Sequence, residues 1–315
     1  MTFLVVAGVL LAAAIALPHA LKLDRAPAGF TSAIWLSALL LRALASVGVA
    51  VAAEVYLPIT GLLEPFGAWC AGALSSHTVT DAVFGLPALA LAGSLLFSVG
   101  GLFVAARRVR GLVRDTAIGA GPGGSIVLSD GALLVAVAGL RRPQVVVSAG
   151  ALVELDEAEL RAGLDHERGH IALRHRYLLV AGELARAVGR FLPGTSAAAR
   201  ELTFALERHA DSYALSRRHE PAVLASAICK AARGAFAAPA LSLGGGVVTR
   251  RARLLLEADP EAKPPRPHPG LVALAPAMAV LVVGAALALP FAAHAGYHEK
   301  HRLGTPHTCH ASDAA

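Results

Sequence analysis

The chain has 315 residues, of which 56% are hydrophobic, 16% are charged and only 5% are aromatic. Globular domains average about 45–50% apolar and about 25% charged residues, so this composition excludes a disordered chain and a simple soluble enzyme. Three cysteines without a Cys-x-x-Cys pair are too few for a disulfide framework. The net charge of +6 is compatible with nucleic acid or a membrane surface, and the long apolar runs favour the membrane.

Four apolar runs are predicted to span a bilayer, which requires about 20 residues each. They lie at about 1–17, 30–53, 82–106 and 270–293. The first run has the length of a signal peptide, but no basic region precedes it and a second span follows closely, so we predict an uncleaved helix. The sequence therefore predicts an α-helical membrane protein with three spans within residues 1–106 and a fourth at 270–293.

The positions of lysine and arginine predict the orientation in the membrane. Basic residues follow the third span and precede the fourth, whereas the 54–81 loop has none. We therefore expect a multi-pass protein of the cell membrane with residues 107–269 in the cytoplasm. The amino terminus, the 54–81 loop and the His-rich tail 294–315 would lie outside. Contacts with anionic lipid account for the positive charge without a nucleic-acid partner. The counted residues are Lys22 and Arg25 between the first two spans, and Arg107, Arg108, Arg110, Arg114, Arg250, Arg251, Arg253, Lys263 and Arg266 between the third and fourth.

The segment 107–269 is predicted to be a mainly helical domain with a small β-sheet. A helix is predicted over Glu157–Phe191, beginning with a capping box of Asp156 and Glu159, and a second helix over about Ser196–Arg218. The predicted strands are Ile126–Leu128, Leu133–Ala138 and Gln144–Ser148.

The first of these helices carries an H-E-x-x-H motif, His166-Glu167-Arg168-Gly169-His170. Two histidines four residues apart lie on one helical face and can share one tetrahedral Zn²⁺. The glutamate after the first histidine lies beside the open coordination position, where it can take a proton from bound water. About 0.02 occurrences are expected by chance, which disfavours the alternative of a polar helix face that happens to be histidine-rich.

The second helix offers a third protein ligand. Glu207 and Asp211 are also four residues apart, so one can ligate while the other orients a histidine. Glu201, six residues earlier on the same helix, is an alternative ligand. A solvated acidic face is the competing interpretation, and the apolar neighbours Leu206 and Ala210 argue against it.

The run Leu152–His175 followed by Glu207-Arg208-His209-Ala210-Asp211 resembles the integral-membrane gluzincin zinc metallopeptidases. The order of the spans resembles the beta-lactam-sensing antirepressor peptidases. The motifs H-E-x-G-H and E-x-x-x-D resemble the HtpX-type and CAAX-prenyl proteases. The antirepressor sensors carry a penicillin-binding domain after the fourth span, where about 22 residues follow here, so we expect no covalent beta-lactam signal on this chain.

This resemblance implies that His166, His170 and Glu207 bind one Zn²⁺ per chain. It also implies that Glu167 is the general base and that Asp211 supports a ligand. The strand Gln144–Ser148 would be the sheet edge that pairs with an extended peptide substrate.

We therefore predict a membrane-bound zinc endopeptidase that hydrolyses peptide bonds of a protein substrate, for which a cytoplasmic transcriptional repressor is one candidate. The alternative is a signal transducer or binding protein with a structural zinc site and no turnover. Glu167 favours the peptidase, because a structural site has no use for a carboxylate beside an open position. A transporter would need paired polar residues within the spans, where Arg42 alone is notable.

Several other residues have more than one possible role. Arg42 lies near the middle of the second span and would face the bundle or a wet cavity, or reach local water. His175 and His209 could hydrogen-bond a reaction intermediate or only support the ligands. The His-rich tail could bind metal, although a solvated tail is the simpler interpretation. A Cys70–Cys309 disulfide is the minority alternative to two free thiols.

Overall fold

A computed structural model of the chain describes residues 2–21, 23–53, 77–236, 245–257 and 268–303. Its helices are α1 (Thr2–Ala20), α2 (Ala28–Val51), α3 (His77–Thr116), α4 (Ala149–Glu154), α5 (Glu157–Ala172), α6 (His175–Val188), α7 (Thr195–Ser216), α8 (Pro221–Phe236), α9 (Gly245–Leu256) and α10 (Pro269–Leu303). Its strands are β1 (Ala117–Ala120), β2 (Ile126–Leu128), β3 (Val135–Ala138) and β4 (Gln144–Ser148).

Three of the described helices contain segments long and apolar enough to cross a membrane: Ala28–Val51 on α2, Gly85–Thr116 on α3 and Pro269–Ala295 on α10. They coincide with the second, third and fourth predicted spans and indicate a membrane protein. The first predicted span lies on α1, where the described side chains begin at Leu11. A four-span architecture therefore remains a prediction.

The predicted strands form part of a four-stranded sheet with the order β1-β2-β4-β3. Strand β4 pairs in parallel with β2 on one side and antiparallel with β3 on the other. The expectation that Gln144–Ser148 is the edge is therefore wrong, because both of its sides are occupied. Strand β3 is the edge on that side of the sheet and packs beside α5.

The predicted helix Glu157–Phe191 is two helices. α5 ends at Ala172, and Arg174 adopts a left-handed conformation with φ of 57° before α6 begins at His175. Few non-glycine residues adopt this conformation. No glycine or proline lies at the break, so the sequence does not indicate that the helix ends there. The turn separates α5 from α6 and places the His175 ring beside His170 of the motif helix.

Helix α2 is the centre of the packing and contacts α7, α10 and α6. Its buried residues Ile34, Leu39 and Leu41 join Leu202 and Leu206 of α7 in one apolar cluster. One side of α2 is therefore covered by helices of the sequence between the third and fourth predicted spans. Helix α7, which carries Glu207 and Asp211, thus lies against a candidate span.

Arg42 of α2 is almost completely buried in this packing, with 1% of its surface exposed. Its guanidinium donates to the carbonyl oxygens of Ala38 (3.2 Å) and Ile15 (3.1 Å) and lies 2.8 Å from Nε2 of His19. A Cβ atom on Gly194, whose φ is 80°, would lie 3.2 Å from it. This position agrees with the interpretation that Arg42 faces the helix bundle. Its hydrogen bonds join α1 to α2 beside the turn between α6 and α7.

The start of the motif helix is fixed by Glu159, which is 3% exposed. Its carboxylate accepts hydrogen bonds from Lys230 Nζ (2.6 Å), Ser226 Oγ (2.6 Å) and the backbone of Asp156 (3.0 Å), the last as part of the predicted capping box. Burial raises the pKa of Glu159, but these hydrogen bonds outweigh it and lower the pKa below the ordinary value. The ionised carboxylate therefore stabilises the fold at neutral pH, and this contribution disappears as the pH falls below about 4.3.

We expect Lys230→Met to lower the free energy of unfolding by about 2–3 kcal/mol, because it leaves the buried Glu159 carboxylate without its cation. Denaturation of the protein in detergent should show this loss, together with acid unfolding at a higher pH. Glu157→Gln is the matched control, since Glu157 is exposed on the same helical turn. Equal stabilities of the two variants would contradict the role given to Glu159.

Candidate metal centre

The candidate site lies between two helices that approach each other closely. The motif face of α5 packs against α7, and Gly169 makes the approach possible: a Cβ atom there would lie 3.1 Å from Cβ and 3.2 Å from ring atoms of Tyr213. The glycine of the H-E-x-G-H sequence therefore has a packing reason. This contact sets the motif histidines opposite the acidic residues of α7.

The structure brings His166, His170 and Glu207 together. Nε2 of His166 lies 3.2 Å from Nε2 of His170, and the Glu207 carboxylate oxygens lie 3.4 Å from the first ring and 3.5 Å from the second. These three side chains lie close enough to bind one metal ion.

The spacing of the three donor atoms fits a small tetrahedral ion. Bonds of about 2.0–2.2 Å to zinc place two ligands of a tetrahedron about 3.3–3.6 Å apart, close to the distances between these atoms. Two imidazole nitrogens and one carboxylate oxygen form the donor set of many catalytic zinc sites, which keep a fourth position open. The residues therefore fit the metal that the sequence predicts.

Protonation of the two rings differs. Burial lowers the pKa of His170 to about 4, so this ring is neutral at pH 7, as ligation requires. Burial also lowers the pKa of His166, but its hydrogen bonds to Asp211 and Glu207 outweigh this and raise the pKa to about 9. Binding of a metal ion would therefore displace a proton from His166.

Asp211 of α7 and Arg251 of α9 contact the candidate metal ligands. Nδ1 of His166 donates to Oδ1 of Asp211 at 2.9 Å, which leaves Nε2 directed at the other donors. The guanidinium of Arg251 pairs with Asp211 at 2.6 Å and with Glu207 at 2.7 Å. Burial raises the pKa of both carboxyls, but Arg251 and His166 reverse the direction, and both remain ionised. Once His166 has given up its proton, two carboxylates against one guanidinium leave a net negative charge, which suits a divalent cation.

Glu167 lies beside the metal ligands and against the sheet edge. Burial raises its pKa to about 7, while His166, Arg251 and a hydrogen bond from the backbone of Val137 act in the opposite direction. A carboxyl with a pKa near neutrality can both accept and return a proton. Val137 belongs to β3, so the carboxyl lies where the edge strand and the motif helix meet.

His175 and His209 extend the site away from the motif. His175 is completely buried; its Nδ1 lies 3.0 Å from Nδ1 of His170 and its Nε2 lies 3.3 Å from Nδ1 of His209. This position favours the interpretation that His175 supports a metal ligand. It contacts Nδ1 of His170, the ring nitrogen that faces away from Glu207. His209 is one contact further out.

Arg251 was predicted from the sequence to be a juxtamembrane charge, but it lies at the site and pairs with Glu207 and Asp211. Arg250 is also engaged within the protein: it pairs with Asp24 and with Glu201 (2.8 Å) and covers the Phe204 ring. Glu201 thus pairs with Arg250, and the described metal group contains Glu207 instead. Cys70, Cys309 and most of the His-rich tail lie outside the described residues, and Cys229 has a free, exposed thiol.

Residues 116–205 match peptidase family M48. The match covers under a third of the chain, contains the H-E-x-x-H motif and ends just before Glu207. No curated protein and no solved structure matches the chain. The family match indicates a metal-dependent peptidase, and together with the apolar helices it supports a membrane-associated, zincin-like metallopeptidase.

Proposed function

We propose that the protein is a membrane-bound zinc endopeptidase with one Zn²⁺ held by His166, His170 and Glu207. The observation that carries this proposal is the convergence of these three donors beside the Glu167 carboxyl and the β3 edge of the sheet. Zinc at such a site polarises a peptide carbonyl and makes a water molecule acidic near neutral pH. The two helices and the buried salt bridges keep the donors in place before a substrate arrives.

The protein residues divide the remaining work. Glu167 takes the proton of the attacking water and passes it to the nitrogen of the leaving amine, for which a pKa near neutrality is suited. Asp211 accepts the Nδ1–H of His166, which leaves Nε2 as the ring nitrogen that would bind the ion. Arg251 keeps Glu207 and Asp211 ionised and limits the repulsion between their charges.

We propose β3 as the strand that binds the substrate. Its inner side pairs with β4, and no described strand pairs with its outer side. An extended peptide that adds to this edge would receive main-chain hydrogen bonds and would lie next to the Glu167 carboxyl, which contacts Val137. The scissile bond would thus be presented to the site by backbone pairing.

A comparison of two strains would identify the physiological substrate. Membrane and cytoplasmic proteomes of cells with the wild-type protein and with Glu167→Gln should differ in the abundance of new peptide termini. Fragments of a transcriptional repressor would support regulatory proteolysis of the kind seen in the antirepressor branch. Identical proteomes, with zinc bound in both proteins, would favour the alternative of a transducer with a structural zinc site.

We further propose that the catalytic residues face the cytoplasm. This orientation is supported by four exposed arginines at the end of α3: Arg107, Arg108, Arg110 and Arg114. Arg250 and Arg251 contribute less to it, because they pair with carboxylates within the protein.

Cysteine labelling tests this orientation. In a chain whose native cysteines are replaced by serine, we expect a cysteine at the exposed Ser196 to react with an impermeant maleimide only after the cells are opened. A cysteine at Ser75, which lies outside the described residues, should react in intact cells. Labelling of Ser196→Cys in intact cells would reverse the orientation and direct the search to envelope substrates.

His175 should matter through the ligand that it contacts. His175→Leu leaves the Nδ1–H of His170 without an acceptor, and we expect zinc affinity to fall by about 10–100-fold. His175→Asn retains a polar partner and should recover part of the affinity. Zinc titration against a competing chelator measures the zinc affinity of both variants. Equal affinities of the wild type and His175→Leu would show that His175 does not support the metal site.

A further inference from the structure

A cavity of about 800 Å³ lies beside the candidate metal centre, between α2, α7 and α10. Its walls are mainly apolar and include Phe30 and Ala33 of α2 and Pro276 and Ala279 of α10. Both helices are candidate membrane spans, so these walls belong to the part of the protein that meets lipid. The volume is within the range of about 300–1,000 Å³ that is typical of sites for organic ligands.

One end of this cavity is cationic. Arg208 of α7 lines it and donates to the carbonyl oxygens of Leu23 (3.4 Å) and Ala26 (2.9 Å). Among the described residues no carboxylate lies within 4 Å of its guanidinium, in contrast to Arg250 and Arg251. Asp24 and Asp211 act on this half-buried arginine only from beyond salt-bridge distance, and its direct partners are neutral carbonyls, so an anion at this end would be attracted.

His209 supplies a second polar group at the same end. Its Nδ1 faces His175, and its Nε2 would lie 3.5 Å from a Cβ atom on Gly29, another wall residue. If His170 binds zinc through Nε2, as the proposed function requires, its Nδ1–H donates to His175, and His175 in turn donates from Nε2 to His209. His209 then carries its proton on Nε2 and presents a donor to the cavity.

We propose that this cavity binds one anionic phospholipid of the surrounding bilayer, with its phosphate at Arg208 and His209 and an acyl chain along the apolar walls. Basic pockets between membrane helices bind anionic headgroups in this way. The apolar walls select a lipid over free phosphate. A peptide substrate is not the occupant, since neither Glu167 nor β3 lines the cavity. Only the proton position on His209 rests on the proposed function; the charge of Arg208 and the walls do not.

Lipid retention by the full-length protein tests this proposal. Native mass spectrometry of delipidated protein, titrated with phosphatidylglycerol or phosphatidylcholine of identical acyl chains, should show one phosphatidylglycerol bound in preference. We expect Arg208→Gln and Ala279→Phe each to weaken this binding about tenfold, by removing the charge or filling the cavity. Arg200→Gln and Ala277→Phe are matched controls, because both residues are exposed on the same helices and do not line the cavity.

Arg208→Gln also removes two hydrogen bonds and could unfold the protein, whereas Ala279 is exposed and its replacement leaves the core intact. Unchanged phosphatidylglycerol binding by Ala279→Phe would overturn the proposal. Equal retention of phosphatidylcholine, displacement of the lipid by inorganic phosphate, or a co-purified peptide in the cavity would overturn it as well. The readout needs neither zinc nor turnover, so it can fail or succeed independently of the peptidase assignment.

Discussion

Glu167→Gln is expected to keep its zinc and to lose peptide cleavage. The substitution retains the size of the side chain and leaves the three donor atoms in place, but an amide cannot accept the proton of the attacking water. General bases contribute about 10²–10⁴-fold to the rate, so kcat should fall by at least about 100-fold. Metal analysis of the purified protein and cleavage of a denatured protein substrate are the two measurements.

A matched control makes this result specific. Glu157→Gln makes the same chemical change on the same helix, at a side chain that is 83% exposed, and should retain both zinc and activity. Loss of zinc from Glu167→Gln would count against its role as the base, since it would make the residue a ligand. Retained cleavage with retained zinc would leave the proposed mechanism without its proton acceptor.

Local patterns in the sequence predicted much of the fold. The capping box of Asp156 and Glu159 gives the beginning of α5, the four-residue spacings place His166 with His170 and Glu207 with Asp211, and the structure brings these pairs together. Strands β2 and β4 lie where short apolar runs and flanking turns predict them. These features depend on neighbours within one or two helical turns, which a single sequence contains.

Other features depend on contacts between distant segments. The order of the strands is decided by pairing across the sheet, so nothing in Gln144–Ser148 itself reveals that it lies between two partners. The break at Arg174 uses a left-handed residue that is neither glycine nor proline. Arg251 is 40 residues from its carboxylate partner Asp211, and a run of arginines before a span has the same sequence pattern whether its members face lipid or a buried site.

Glu207→Ala is expected to cause the largest loss of zinc affinity on α7, because two effects combine. The substitution removes one of three protein ligands, and it also leaves the guanidinium of Arg251, now paired with Asp211 alone, facing a divalent cation. Changes outside the ligands reduce metal affinity by about 10–100-fold, so removal of Glu207 should exceed about 100-fold. Glu207→Gln preserves the shape and should show the same direction with a smaller loss.

Glu201→Ala is the matched control on the same helix. Glu201 pairs with Arg250, and its loss should change stability without changing zinc affinity. Competition with a chelator of known affinity at fixed pH separates the two variants, and thermal unfolding in detergent shows whether each is folded. If Glu201→Ala and Glu207→Ala lose zinc equally, the third ligand is not assigned, and the net charge near Arg251 rather than coordination by Glu207 would govern metal binding.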